Sequence, residues 1–205
     1  RQHERRALLR SLDMLGSAMP DSSKLQTLRK CEDEAYDLIL GNGAEVFDLK
    51  REDDELRDRY GRTTFVQSCL AARRLVECGV PYLTINYEGW DTHKNNFTIL
   101  RQKLPEMDHA MATLLQDLAD RELLDSTIVW WSGEFGRTPK IQWEAPYNGG
   151  RGHWGSAFSA LLAGGGFKGG CVVGETDAKG ETVKQRPVYP CDLNTSIYER
   201  LGIDP

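Results

Sequence analysis

The chain has 205 residues, a formal charge of −5 and 40% hydrophobic residues, enough for a core that buries roughly 70% of the unfolded surface. The negative balance argues against a dedicated nucleic-acid binder, and no apolar run approaches the ~20 residues of a membrane span. Cys31, Cys69, Cys78, Cys171 and Cys191 are scattered with no C-x-x-C pair, so they read as neither a disulfide framework nor a zinc finger.

Residues 1–16 are basic, with Leu8, Leu9, Leu12 and Leu15 near helical period and Gly16 as a stop, which predicts the solvated face of an amphipathic helix. Met19-Pro20-Asp21-Ser22-Ser23 is a break with capping chemistry, and a second helix is expected from Ser23 to Leu40. A charge-rich helical turn follows over Arg51–Arg59. Thr63 or Thr64 starts a clearer helix whose inner face carries Phe65, Cys69, Ala72 and Val76, with Gly79 past its end.

Val80–Asn86 reads as a strand leading into a loop with Asp91, His93 and Lys94. Pro105 suits the first turn of a helix to Leu124, with Met107, Met111, Leu114, Leu115 and Leu118 as its apolar stripe. Thr127–Ser132 is apolar, β-branched and aromatic, and reads as a buried strand. A strand–helix–strand order of this kind predicts parallel pairing through a right-handed crossover, and hence an α/β domain with a mostly parallel sheet. Ala157–Ala163 and Cys171–Gly174 are further strand candidates. The glycine-rich Gly164–Gly170 lacks both phosphate-loop patterns and reads as a turn that admits positive φ. Asp192 is expected to cap a last helix ending at Leu201. No linker divides the chain, so 1–205 reads as one domain.

Two loops, each after an expected strand, hold side chains fit for chemistry. Asp91 and His93 are two residues apart, so in extended backbone they project the same way. Glu134 and His153 bracket the second loop. Carboxylate and imidazole without thiolate suit a divalent metal such as zinc, manganese or magnesium, which would polarise an ester and activate a nucleophile. Arg137 is placed to orient an anionic group, because a guanidinium fork matches phosphate or sulfate oxygens. The bland alternative is a packed loop in which Asp91, His93, Glu134 and His153 meet no ion. His3 and His109 read as structural residues on helices. Ser132 ends a strand beside Gly133 but lacks a G-x-S-x-G elbow and a paired base, so it is not taken as a nucleophile.

Gly89-Trp90-Asp91-Thr92-His93, Gly133-Glu134-Phe135-Gly136-Arg137-Thr138-Pro139, Arg151-Gly152-His153-Trp154 and Leu162-Ala163-Gly164-Gly165-Gly166 occur in this order. With Ala72–Val80 and the closing Leu201-Gly202-Ile203-Asp204-Pro205, they resemble the DUF1501 family, a bacterial group related to sulfatases and the alkaline-phosphatase-like superfamily. That resemblance implies an α/β/α sandwich, here incomplete, and metal-dependent hydrolysis of phosphate or sulfate esters. It implies Asp91, His93, Glu134 and His153 as metal ligands, with zinc, manganese, magnesium or calcium as the ion. Glu134 and Arg137 become the catalytic candidates, and Arg137, Lys94 and Arg151 the groups holding an anionic ester. Bacterial export to the periplasm or envelope is also implied.

Two departures stand out. Gly152 occupies a position where members commonly carry aspartate. The chain starts at Arg1 without the signal sequence and motifs expected of a longer N-terminal part, so it is expected to be the C-terminal portion of a larger domain. The nucleophile would lie in that absent half, itself a candidate partner. The competing expectation is a non-catalytic binding or scaffold module derived from the same fold.

Overall fold

The structure is a computed structural model that describes residues 4, 7, 8, 11, 22–40 and 42–204. Leu9, Leu12, Leu15 and Gly16 of the first expected helix, and the break at Met19–Asp21, lie outside those residues. The chain divides into two compact units, Arg1–Glu55 and Leu56–Pro205.

In the first unit α1 (Ser23–Leu40) forms as the sequence predicts and packs on a short 3-10 turn, Asn42–Phe47. Glu45 pairs there with Arg51.

The second unit contains a polar-centred helical core. After α2 (Asp54–Tyr60), α3 (Thr64–Glu77) and α4 (Asn96–Asp120) pack against each other. Their contact buries Tyr60, Val66, Cys69, Leu70, Met107, Ala110, Leu114 and Leu118. Helix α3 was legible, but its buried face is turned from the expected one: Cys69 is buried together with Val66, Leu70 and Arg73, while Phe65, Ala72 and Val76 are only half-buried. Its end is as read, because Gly79 takes φ +79° while Gly79 N–H donates to Val76 O and Val80 N–H to Leu75 O.

At the centre of this core lies Asp117, 3% exposed, with Arg73 at 1% and Tyr60 at 0%. Asp117 Oδ2 accepts from Tyr60 OH and Arg73 Nε, both at 2.9 Å, and Oδ1 accepts from Arg121 Nε at 2.8 Å. Burial alone would raise the Asp117 pKa, but hydrogen bonds from Arg121 and Tyr60, with the charges of Arg73 and Arg121, bring it below the ordinary carboxylate value. Burial and the same carboxylate push the Tyr60 phenol upward. A carboxylate so fully satisfied is the condition under which a buried charge is tolerated.

Helix α4 begins nine residues earlier than expected, at Asn96, so Pro105 lies inside it and not in its first turn. Pro105 removes one backbone donor from the helix interior. The local proline signal is overridden by packing of the segment before it: Phe97 stacks on Trp143, and Asn96 is buried at 1% exposure.

The expected parallel sheet is not what forms. The strands are short and pair antiparallel: β1 (Val129–Trp131) with β4 (Leu161–Ala163), β2 (Gly136–Arg137) with β3 (His153–Trp154), and β5 (Glu175–Thr176) with β6 (Val183–Gln185). Among the described residues there is no parallel pair and no α/β/α sandwich. Val80–Asn86 joins no ladder. The glycine triplet decides the partner of β1. Gly164, Gly165 and Gly166 take φ of +69°, +55° and +75°, and a Cβ on Gly164 would strike the carbonyls of Thr127 and Leu124. That close approach, with Gly165 N–H donating to Leu124 O at 3.0 Å, lays Leu161–Ala163 against Val129–Trp131. The glycine run therefore serves as the turn predicted for it.

Burial differs too. Trp130 and Trp131, expected inside, are 50% and 41% exposed. Cys171–Gly174 is not strand, and strand starts only at Glu175. A turn follows at Asp177–Gly180, where Gly180 N–H donates to Asp177 O at 3.0 Å. Asp177 accepts from the N–H groups of Lys179, Glu181 and Thr182, bonds that with the Thr182 hydroxyl draw its pKa down to about 2. The last helix, α5 (Pro190–Arg200), starts two residues before Asp192, so Asp192 lies in its first turn and not at its cap, and its carboxylate accepts from Tyr189 N–H at 2.9 Å. No helix among the described residues is long and apolar enough to cross a membrane.

Candidate metal centre

The Asp91–His93 segment is held at both ends. Upstream, Tyr87 stacks on Phe65 with centroids 3.9 Å apart and donates its hydroxyl to Glu106. Burial first, then that carboxylate, pushes the Tyr87 phenol up to about 12. Lys103 Nζ donates to Glu88 O at 2.6 Å and sits 3.9 Å over the Tyr87 ring, a cation–π contact that fixes the turn before Trp90. Downstream, Thr92 is buried and its hydroxyl donates to Asn96 Oδ1 at 2.5 Å. Asn95, in left-handed backbone at φ +52°, donates its N–H to Tyr147 O at 2.9 Å.

The second loop is strapped to the first. Arg151 N–H donates to Thr92 O at 3.2 Å. A Cβ on Gly150 would collide with the His93 carbonyl, so only glycine lets the two backbones approach this closely. In the β2–β3 ladder Arg137 is paired directly with His153. Directly opposed residues project on the same face of a strand pair, which places guanidinium and imidazole together over Asp91.

The result is a triangle of donor atoms. Asp91 Oδ1 lies 2.9 Å from His153 Nε2 and 3.1 Å from His93 Nε2, and the two imidazole nitrogens are 3.0 Å apart. The side chains of Asp91, His93 and His153 are 67%, 47% and 50% exposed, so the triangle opens to solvent. Phe135 packs its ring on His153 at a centroid distance of 4.4 Å. Arg137 Nη1 lies 2.9 Å from the same Asp91 oxygen, and its Nη2 donates to Trp90 O at 2.9 Å. The hydrogen bonds from His153 and then Arg137, and the charges of His93 and Arg137, hold the Asp91 carboxyl below its ordinary range. It is therefore an anion with a fixed orientation.

These three residues are the group able to hold a metal among those described. Of the expected ligands, Asp91, His93 and His153 converge, while Glu134 is exposed on the preceding turn and stands outside the group. Of the expected anion-holding residues, Arg137 braces Asp91. Arg151 gives Nε to Thr138 O at 2.6 Å and Nη2 to Arg137 O at 3.1 Å. Lys94, next to His93, is exposed. Ser132 donates to Gly133 O, and His109 Nε2 meets Arg59 O at 2.6 Å, in keeping with the structural reading of both. Phe135, Thr92 and Asn96 were not singled out from sequence, because their importance depends on contacts across the two loops. The four-residue spacing of Thr92 and Asn96, across a helix start, was the one available hint.

The site thus belongs to the class of two-histidine, one-carboxylate clusters on paired loops beside a helical core. The chain is a member of the DUF1501 family, described as "Protein of unknown function (DUF1501)", whose model matches residues 1–205. No curated protein and no solved structure matches it, and nothing in these comparisons links it to sulfatases or alkaline phosphatases.

Proposed function

We propose that this protein is a metal-dependent hydrolase of anionic esters, phosphate or sulfate, acting at Asp91, His93 and His153. The observation that carries this reading is the meeting of a carboxylate oxygen and two imidazole nitrogens within about 3 Å of one another. The donor chemistry fits a divalent ion, since all three groups present lone pairs and no thiolate is near. Such an ion supplies Lewis-acid polarisation of an ester oxygen and acidifies water. In this proposal Asp91, charged and oriented by Arg137, supplies the anionic ligand. Glu134, outside the triangle, takes the proton from the attacking water. Lys94 faces solvent and is free to attract the ester's charge.

A second reading, a non-catalytic module that binds anions through the metal, is favoured by one observation. Arg137 and Arg151 are already committed to Asp91 and to backbone carbonyls, leaving less cationic capacity for catalysis. Hydrolysis of nitrophenyl phosphate and nitrophenyl sulfate, with and without added divalent ions, separates the two. The hydrolase reading expects ion-dependent turnover that falls about 10²-fold or more in Glu134→Gln. Ion-dependent anion binding with no turnover, unchanged in Glu134→Gln, would establish the binding module instead.

A further inference from the structure

We infer that the indole of Trp143 is a stacking platform for the organic part of the ester, selecting substrates whose leaving group carries a flat ring, aromatic or sugar. The inference rests on the reading of Asp91, His93 and His153 as the site of the charged end, and deepens it by naming the rest of the substrate.

Trp143 is the most exposed of the five tryptophans, at 66%. Its ring is nonetheless held in place. One face lies on Phe97, with planes 10° apart and centroids at 5.7 Å, an offset stack. A Cβ on Gly149 would come within 3.0 Å of Trp143 Cζ3, so that backbone closes one edge of the ring. The loop beneath is pinned. Gly149 and Gly150 N–H both donate to Gln142 O, at 2.8 and 3.2 Å, and Gln142 N–H donates to Gly150 O at 3.0 Å. With one face and one edge covered, the exposure belongs to the opposite face. A tryptophan already ordered in the free protein stacks on a ligand with little further loss of side-chain freedom, and so adds to affinity.

The platform belongs to the same loop system as the cluster. Trp143 lies on the connection between Arg137 and His153, the paired positions of β2 and β3. Gly149 touches its ring, and Gly150, the next residue, lies against the His93 carbonyl. Two contacts and one Cα step of about 3.8 Å therefore separate the ring from the His93 backbone, a span of no more than about 12 Å. Other rings near the cluster are committed to protein partners. Phe135 covers His153 at 4.4 Å, and Tyr87 is stacked on Phe65 beneath Lys103. Trp143, by contrast, has a face to offer beside the solvent-open triangle.

The test is calorimetric titration of the full chain, in manganese(II), with three phosphonates that cannot be hydrolysed. They bear a methyl group, a naphthylmethyl group or a glucose ring. At least one ring-bearing phosphonate should bind about tenfold tighter than the methyl compound, and which of the two does so identifies the ring as aromatic or sugar. That ratio should fall to within about twofold of one in Trp143→Ala. Trp143→Leu, which keeps apolar bulk over Phe97, is the second variant, and both are checked for folding by thermal melting. Equal binding of all three compounds, or a preference undiminished in the folded variants, would overturn the platform while leaving the anion site intact. Ring binding that is weakened in Trp143→Ala but unchanged in Asp91→Ala would keep the platform and overturn the cluster as the ester site. No binding of any of the three would overturn both.

Discussion

Two carboxylates of this protein, Asp117 and Asp91, each gather cations and hydrogen bonds, yet they do opposite work. Asp117 is buried, and the groups around it are donors: Tyr60, Arg73 and Arg121 in hydrogen bonds and Arg59 at 3.9 Å. Its surroundings are complete without a ligand. Asp91 is open to solvent, and two of its three close neighbours are imidazole nitrogens that also face each other. Only Arg137 is a dedicated partner. The difference lies in what the neighbours offer: around Asp117 they are committed donors, whereas the imidazole nitrogens beside Asp91 can donate or accept and stand open to solvent.

The sharpest way to break this comparison is to remove each carboxylate. Asp117→Ala takes from buried Arg73 one of its two carboxylate partners, Glu77 being the other, and breaking a buried pair typically costs about 3–5 kcal/mol; chemical denaturation should show a loss of that size. Asp91→Ala, on an exposed loop, should change stability by no more than about 0.5 kcal/mol while abolishing metal binding measured by dialysis. If the two effects were exchanged, the structural and functional assignments would be reversed.

Arg137→Gln comes next in size. It leaves all three donors in place but removes the brace on Asp91, so metal affinity should fall about 10–100-fold. An unchanged affinity would make Arg137 a substrate residue only, as its guanidinium chemistry first suggested.

Acid sharpens the contrast further. Asp117 has its folded pKa below the ordinary 3.8, so its stabilisation is fully present above about pH 4 and disappears as pH falls through the lower folded value. Urea midpoints of the unaltered protein should drop in that acid range, and those of Asp117→Asn should drop less. The smallest effect is expected at Gly152. A Cβ there meets Thr138 Cγ2 at an ordinary 3.4 Å, and neighbouring strand positions face away from each other. Gly152→Asp should therefore fold normally and change metal affinity less than threefold, roughly 0.6 kcal/mol.

The helices were legible because their signals are local and repeated. α3 carries both its apolar period and its glycine stop in the sequence. The sheet was not, because strands of two or three residues carry almost no periodicity. The partner of β1 depends on glycines more than thirty residues downstream resting on Leu124 and Thr127. Pro105 misled for the opposite reason: its local preference was clear, and packing of Asn96 and Phe97 overrode it.

At the site, the D-x-H spacing anticipated that the Asp91 and His93 side chains lie together, 3.1 Å apart. That His153 but not Glu134 would join them could not be read from spacing, because it is set by the register that pairs Arg137 with His153. Glu134 and His153 were both expected as ligands; the hairpin brings His153 to Asp91 and His93 and leaves Glu134 outside the group.

The central claim is that Asp91, His93 and His153 act together as one cation site. Calorimetric titration of chelator-treated protein with manganese(II) tests it most directly, run in parallel on Asp91→Ala and on Asp117→Asn. One saturable site per chain, lost in the first variant and kept in the second as long as it remains folded, is the predicted result. No saturable binding in the unaltered chain, or binding that survives in Asp91→Ala, would contradict the account.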